Sequence, residues 1–184
     1  GMLTSLATNY NRRNKNVRLY EMGNIYIPQE LPLTELPDER MQFTLGMYGD
    51  GDFFNMKGVV EEFFEKIGMK GREKYDPNAG KSFLHPGRQA NIIYDGKVVG
   101  YLGEVHPEVA DIYGIGERAY VAVLDMPEII PYATFDRKYT GIAKYPAVTR
   151  DISMVVPKEI LVGQIEDVIE KKGGAHLESF NPVS

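Results

Sequence analysis

Two neighbouring stretches, FFNMKGVVEEFFEKIG (Phe53–Gly68) and FLHPGRQANIIYDGKVVGYLGEVHP (Phe83–Pro107), decide the fold. In the first, Val59, Val60, Phe63, Phe64 and Ile67 fall on one side at helical spacing. Glu61, Glu62, Glu65 and Lys66 fall opposite, so the spacing predicts an amphipathic helix. Asn55 or Asp52 would cap its start, and Gly68 is placed to end it. In the second stretch, Asp95-Gly96 supplies the positive φ angles of a two-residue turn, which predicts a hairpin of Gln89–Tyr94 with Lys97–Val105. A helix laid on an antiparallel sheet is the unit to which the remaining chain adds strands.

Working outward, Leu3–Asn14 reads as the tail of a helix. Val17–Ile27 is apolar on both faces, as a central strand would be. Pro28, Pro32 and Pro37 make the next segment a loop, and Met41, Phe43, Leu45 and Met47 alternate with smaller or polar residues as in a strand with one buried face. Arg72–Asp76 and Arg118–Asp125 are further short strands, Pro107–Tyr113 a short helix closed by Gly114, and Pro127–Ile130 a helical turn. From Pro131 to Pro146 the patterning fades into a linker. A second unit then begins: a strand at Asp151–Val156, a helix at Ile160–Lys172 burying Leu161, Ile165, Val168 and Ile169, and a strand at His176–Phe180. Such a β-α-β piece cannot close a core alone, so this unit reads as incomplete.

The chain has 184 residues, 43% of them hydrophobic, a mean hydropathy of −0.30 and a net charge of −5. That composition supports a buried core and does not mark a general polyanion binder. No apolar run approaches the ~18–20 residues of a membrane span, and no secretory leader opens the chain. Gly1-Met2 reads as the scar of a removed tag. With no cysteine, disulfides, thiolate metal sites and cysteine nucleophiles are excluded, and a cytoplasmic setting is the default.

Few residues offer chemistry. Arg12, Arg13, Lys15 and Arg18 crowd together and would suit phosphate contact in a small RNA-binding module, or simply a solvated turn. His85-Pro86-Gly87-Arg88 and His106-Pro107 sit at strand exits. There, His85 or His106 would serve as a general base with Arg88 as anion clamp in a stand-alone enzyme, or bind a metal with Glu104 as third ligand. The spacing favours neither, since His-Pro is also a sound way to leave a sheet. Gly114–Arg118 lacks the third glycine and the strand-to-helix setting of a nucleotide loop. Gly80-Lys81 is not a P-loop, and no serine stands in a nucleophile elbow.

The segments NYNRRNKNVRLYEMGNIYI, FFNMKGVVEEFFEKIG, FLHPGRQANIIYDGKVVGYLGEVHPEV and YPAVTRDISMVV, in this order, resemble the C-terminal part of bacterial phenylalanyl-tRNA synthetase β subunits. The resemblance implies an α+β fold. Residues 1–140 would form a class II synthetase-like antiparallel sheet with flanking helices, without catalytic residues. Residues 141–184 would hold a linker and the start of a ferredoxin-like anticodon-binding domain, from Tyr145 onward. It further implies docking on an α subunit that carries the active site, phenylalanine tRNA as a partner of the whole enzyme, ATP and magnesium used there, and no cofactor, metal or catalytic residue on this piece.

The residues agree with inactivity. A class II site needs one arginine on its second motif and another on its third, because adenylate transfer builds charge on the phosphates. Here Leu19–Gly23 keeps the Glu-x-Gly pattern but leads into the proline loop. The family's aromatic-Asp-x-Tyr-x-Gly segment would follow the expected strand ending near Phe180, where Asn181–Ser184 closes the sequence, and its acidic metal-contacting residues and editing domain would lie upstream. Apolar surface meant for the α subunit would leave the isolated piece prone to self-association.

Overall fold

The computed structural model describes residues 1–69, 71–136, 139, 141 and 146–180, and the chain divides into two compact units, Gly1–Asp136 and Arg137–Ser184. The first is built from α1 (Met2–Asn11), β1 (Val17–Ile27), β2 (Asp38–Tyr48), α2 (Phe53–Lys66) and β3 (Glu73–Asp76). It continues with β4 (Leu84–Tyr94), β5 (Lys97–Val105), α3 (Pro107–Ile112), β6 (Ala119–Asp125) and α4 (Met126–Ile129). Six strands make one antiparallel sheet in the order β1-β2-β6-β5-β4-β3.

Helix α2 forms as its spacing predicts. The Asp52 carboxylate accepts from the Asn55 amide at 2.7 Å, and the Asn55 side chain accepts from the Asp52 amide at 2.9 Å, a reciprocal cap. Gly68, at φ +82°, closes the helix. Asp52→Ala should therefore lower stability by about 1 kcal/mol, read as a lower thermal midpoint, with Asp52→Asn recovering most of it. The buried stripe is Met56, Val60 and Phe64, flanked by half-buried Phe53, Phe63 and Ile67. Val59 instead faces outward, at the margin of the line made by Met56, Val60 and Phe64.

This stripe packs on one face of the sheet against Leu45, Met47, Ile92, Val99, Leu102 and Leu124. The other face is covered by Leu6 and Ala7 of α1 and Ala110 of α3, over Tyr48, Val105, Ala119 and Val121. The β4–β5 turn has Asp95 at φ +51° and Gly96 at φ +80°, the mirror-image turn that Asp-Gly predicts.

Strand β1 departs from expectation. Its apolar character on both faces suggests a central strand, yet it is an edge strand paired with β2 alone. Tyr20, Met22 and Tyr26 are 75%, 55% and 61% exposed. A sequence reports that a strand is apolar; whether another strand or a partner covers it is settled by which strands are at hand.

In the second unit, α5 spans Val162–Gly173, and Gly174 at φ +65° ends it. The strands expected at 151–156 and 176–180 are not formed among the described residues. The first is exposed, and Gly174–His176 is a 3-10 turn. A strand draws its ladder hydrogen bonds from a neighbour, and the described residues of this unit offer none. Nor is Leu161, Ile165, Val168 or Ile169 fully buried. Of the expected linker 131–146, residues 137–138, 140 and 142–145 lie outside the described residues, as does the closing segment 181–184.

Candidate functional site: a closed arginine fork and an apolar ribbon

Pro86 and Gly87 interrupt β4, and the register of its pairing with β5 shifts between Leu84 and Gln89. That irregularity aims Arg88 back over the sheet at Glu104 of β5. Arg88 Nε donates to Glu104 Oε2 at 2.6 Å and an Arg88 terminal nitrogen to Oε1 at 2.9 Å, a two-pronged grip. The Glu104 side chain is only 2% exposed, while Arg88 keeps 39%. Burial pushes the Glu104 carboxyl up, but the Arg88 fork, with Arg118 nearby, outweighs it and holds the carboxyl below its ordinary value. Tyr120, cross-strand partner of Glu104, has its hydroxyl pushed up by burial and by that carboxylate. The arginine that the sequence offers as an anion clamp is thus spent on a buried internal carboxylate.

His85 and His106 do leave adjacent strands, since Leu84 pairs with Val105 and the His106 amide donates to the Phe83 carbonyl at 2.9 Å. Each ring is engaged locally. His85 Nδ1 accepts from the Gly87 amide at 3.1 Å, and His106 Nδ1 accepts from the Glu108 amide at 3.3 Å, capping α3. Each Nδ1 is thereby held by the backbone of the turn that follows it. Both rings act as turn caps. Among the described residues no three His, Cys, Asp or Glu side chains group to hold a metal, so the His85–His106–Glu104 set expected as one alternative is not assembled.

Arg12, Arg13 and Lys15 lie exposed on the loop from α1 to β1, with Arg13 at φ +62°. Arg18 pairs with Asp50 at 3.6 Å, both side chains well exposed. The residues present do not fit a nucleotide with its magnesium. Helix α2 packs on one face of the sheet and α1 and α3 on the other, and Arg88, Arg40 and Arg18 are each paired with a carboxylate, on Glu104, Asp125 and Asp50.

What remains open is the β1–β2 ribbon. Strand β2 meets β6 only from Gln42↔Asp125 onward, so the pairs Asn24↔Met41 to Ile27↔Asp38 carry no third strand among the described residues. Beyond them the 28–37 loop exposes Leu31, Leu33 and Leu36 at 81%, 57% and 91%. Tyr20, Met22, Tyr26 and Met41 line one face of the ribbon, continuous with Phe43, whose ring lies 6.0 Å from Tyr20 and 5.0 Å from Phe63. Arg40 ties the ribbon's base down, reaching Asp125 at 2.8 Å, Asp38 at 3.2 Å and Glu128 at 3.5 Å. The sequence reading passes over this element as a proline loop. The signal was there in leucines interleaved with Pro and Glu, in a segment too short to bury them.

Residues 1–126 match the family described as phenylalanyl tRNA synthetase beta chain CLM domain, and residues 143–184 the ferredoxin-fold anticodon binding domain. Among similar curated proteins, the phenylalanine–tRNA ligase beta subunit of Clostridium acetobutylicum is 44% identical over 180 residues, 98% of this chain. That of Clostridium tetani is 38% identical over 177 residues, 96% of the chain. The chain spans 22% of the length of each. Among solved structures, pyrrolysyl-tRNA synthetase from Desulfitobacterium hafniense aligns with a TM-score of 0.55 at 10% identity, over 71% of this chain and 46% of that one. That likeness concerns the fold, a class II synthetase-like sheet. Among the described residues no helix is long and apolar enough to cross a membrane.

Proposed function

The chain belongs to the phenylalanyl-tRNA synthetase β-chain family, and from that premise we propose that it is a non-catalytic scaffold that docks the ligase's other subunit. In the whole ligase, phenylalanine would be joined to its tRNA, with ATP and magnesium, at a site on the α subunit. This chain's residues 1–140 would hold that subunit in place. Residues from 141 onward would lead tRNA toward the anticodon-binding part, and a cytoplasmic setting follows from that work. The observation that carries the reading is the filled sheet. A class II site reads its nucleotide from an open sheet face through free arginines, whereas here α2 and α1 pack on opposite faces of the sheet's middle strands and Arg88 grips Glu104. Arg12, Arg13 and Lys15 would be the residues of this chain nearest in chemistry to an RNA backbone.

The test is pyrophosphate exchange into ATP with phenylalanine. The purified chain should give none above background, and a mixture with the α subunit should show a stable complex by sedimentation. Exchange by the chain alone would overturn the scaffold reading, and absence of any complex would overturn the docking reading.

A further inference from the structure

The end of the β1–β2 ribbon has a particular chemistry. It projects as two strands with a ten-residue connection, 28–37, and among the described residues no third strand lies beside it. A lone two-stranded ribbon is marginal in water, and one that also exposes Tyr26, Leu31, Leu33 and Leu36 gains by burying them against something. Its charge says against what. From Asn24 to Met41 the carboxylates are Glu30, Glu35, Asp38 and Glu39, and the one cation, Arg40, is already held by Asp38, Asp125 and Glu128. The tip is therefore apolar with an acidic rim. The basic residues Arg12, Arg13, Lys15 and Arg18 sit at the opposite end of β1, about 33 Å away for an 11-residue strand.

We infer that this ribbon is an arm whose leucine-bearing tip inserts into an apolar cleft rimmed by lysine and arginine on the partner subunit. The inference rests on the docking reading above and adds the surface and its complement. Phosphate backbones are repelled by the acidic rim. A second copy of this chain would bring the same rim against itself, so self-complementary pairing of two tips sets carboxylates against carboxylates. The apolar centre supplies affinity and the carboxylates supply orientation and association rate.

The experiment uses the full-length β subunit with its α subunit, comparing wild type, Leu33→Asp/Leu36→Asp and Glu30→Lys/Glu35→Lys. All four side chains lie on the exposed connection, so the far-UV circular dichroism of both variants should match wild type. The leucine variant should weaken the dissociation constant by roughly 30-fold, a hot-spot-sized loss. The charge variant should slow association about tenfold at low salt and flatten its salt dependence. Wild-type affinity in the leucine variant, while the unaltered subunits still bind, would overturn the arm and leave docking intact. Failure of the unaltered subunits to bind would overturn docking itself. Loss of self-association or of tRNA binding in the leucine variant, with subunit affinity unchanged, would also overturn the assignment.

Discussion

Phe64→Ala should cost the Gly1–Asp136 unit about 4 kcal/mol, the largest loss expected from a single truncation here. Phe64 is fully buried, on the innermost line of α2, with Met56 and Val60 before it along the helix. Its ring stands edge-on to Tyr94 at 6.2 Å and tilted to Phe63 at 6.0 Å, and it packs in the cluster with Ile92, Val99 and Leu102. Truncation removes the transfer energy of the ring and leaves a hole that neighbours fixed on two strands cannot close. Because such units are stable by only ~5–15 kcal/mol in total, the variant sits near the edge of folding. Urea unfolding followed by circular dichroism should show a sharply lower midpoint with an unchanged slope. Phe64→Leu should recover more than half of the loss. A loss under about 1 kcal/mol for the alanine variant would mean that α2 does not organise the core.

Arg88→Ala comes next, at about 3 kcal/mol, because it leaves the Glu104 carboxylate buried without its fork. Arg118 and Tyr120 remain beside it and keep the cost at the low end for a broken buried pair. The pH dependence carries the distinguishing signature. In the wild type Glu104 titrates below its unfolded value, so its contribution is present above the unfolded pKa of ~4.3 and is lost as pH falls through the folded value. Without Arg88, burial dominates and lifts the Glu104 pKa. The variant's deficit is then largest near neutrality and shrinks on acidification, as the carboxylate takes a proton and no longer needs a partner. Stability curves of the two proteins between neutral pH and about pH 4 should converge. Parallel curves would mean that Arg88 contributes packing alone. Arg88→Lys should restore part of the stability, since an ammonium supplies charge without the fork.

Both predictions rest on elements that the sequence makes legible to different degrees. The α2 helix, its Asp52 cap and the Asp95-Gly96 hairpin depend on neighbours within a few positions, so periodicity and turn chemistry suffice to read them. The Arg88–Glu104 pair spans 16 residues and requires the irregularity at Pro86-Gly87 to bring the two together. Sequence reading supplies both residues but assigns them separately, one as an anion clamp and one as a metal ligand. For His85 and His106, proximity along the sheet is foreseeable, whereas engagement of each Nδ1 by the following turn depends on backbone geometry at the 3 Å scale. In the second unit, the helix at Val162–Gly173 forms where local pattern places it. The flanking strands do not, because a strand's stability belongs to its pairing rather than to itself.

By itself the sequence determined that this is an α+β chain with an amphipathic helix over an antiparallel sheet, and its ordered segments already carried the synthetase resemblance. Those properties are written in local spacing and in the linear order of segments. Only the tertiary structure decided that β1 is an edge, that helices pack on both faces of the sheet's middle strands, and that Arg88 is closed on Glu104. It also decided that the acidic, leucine-bearing ribbon stands without a third strand among the described residues. The physical reason is common to all four. Each depends on which distant backbone lies alongside, and hydrogen-bond ladders, burial and charge pairing acquire their sign from that neighbour rather than from the residue alone.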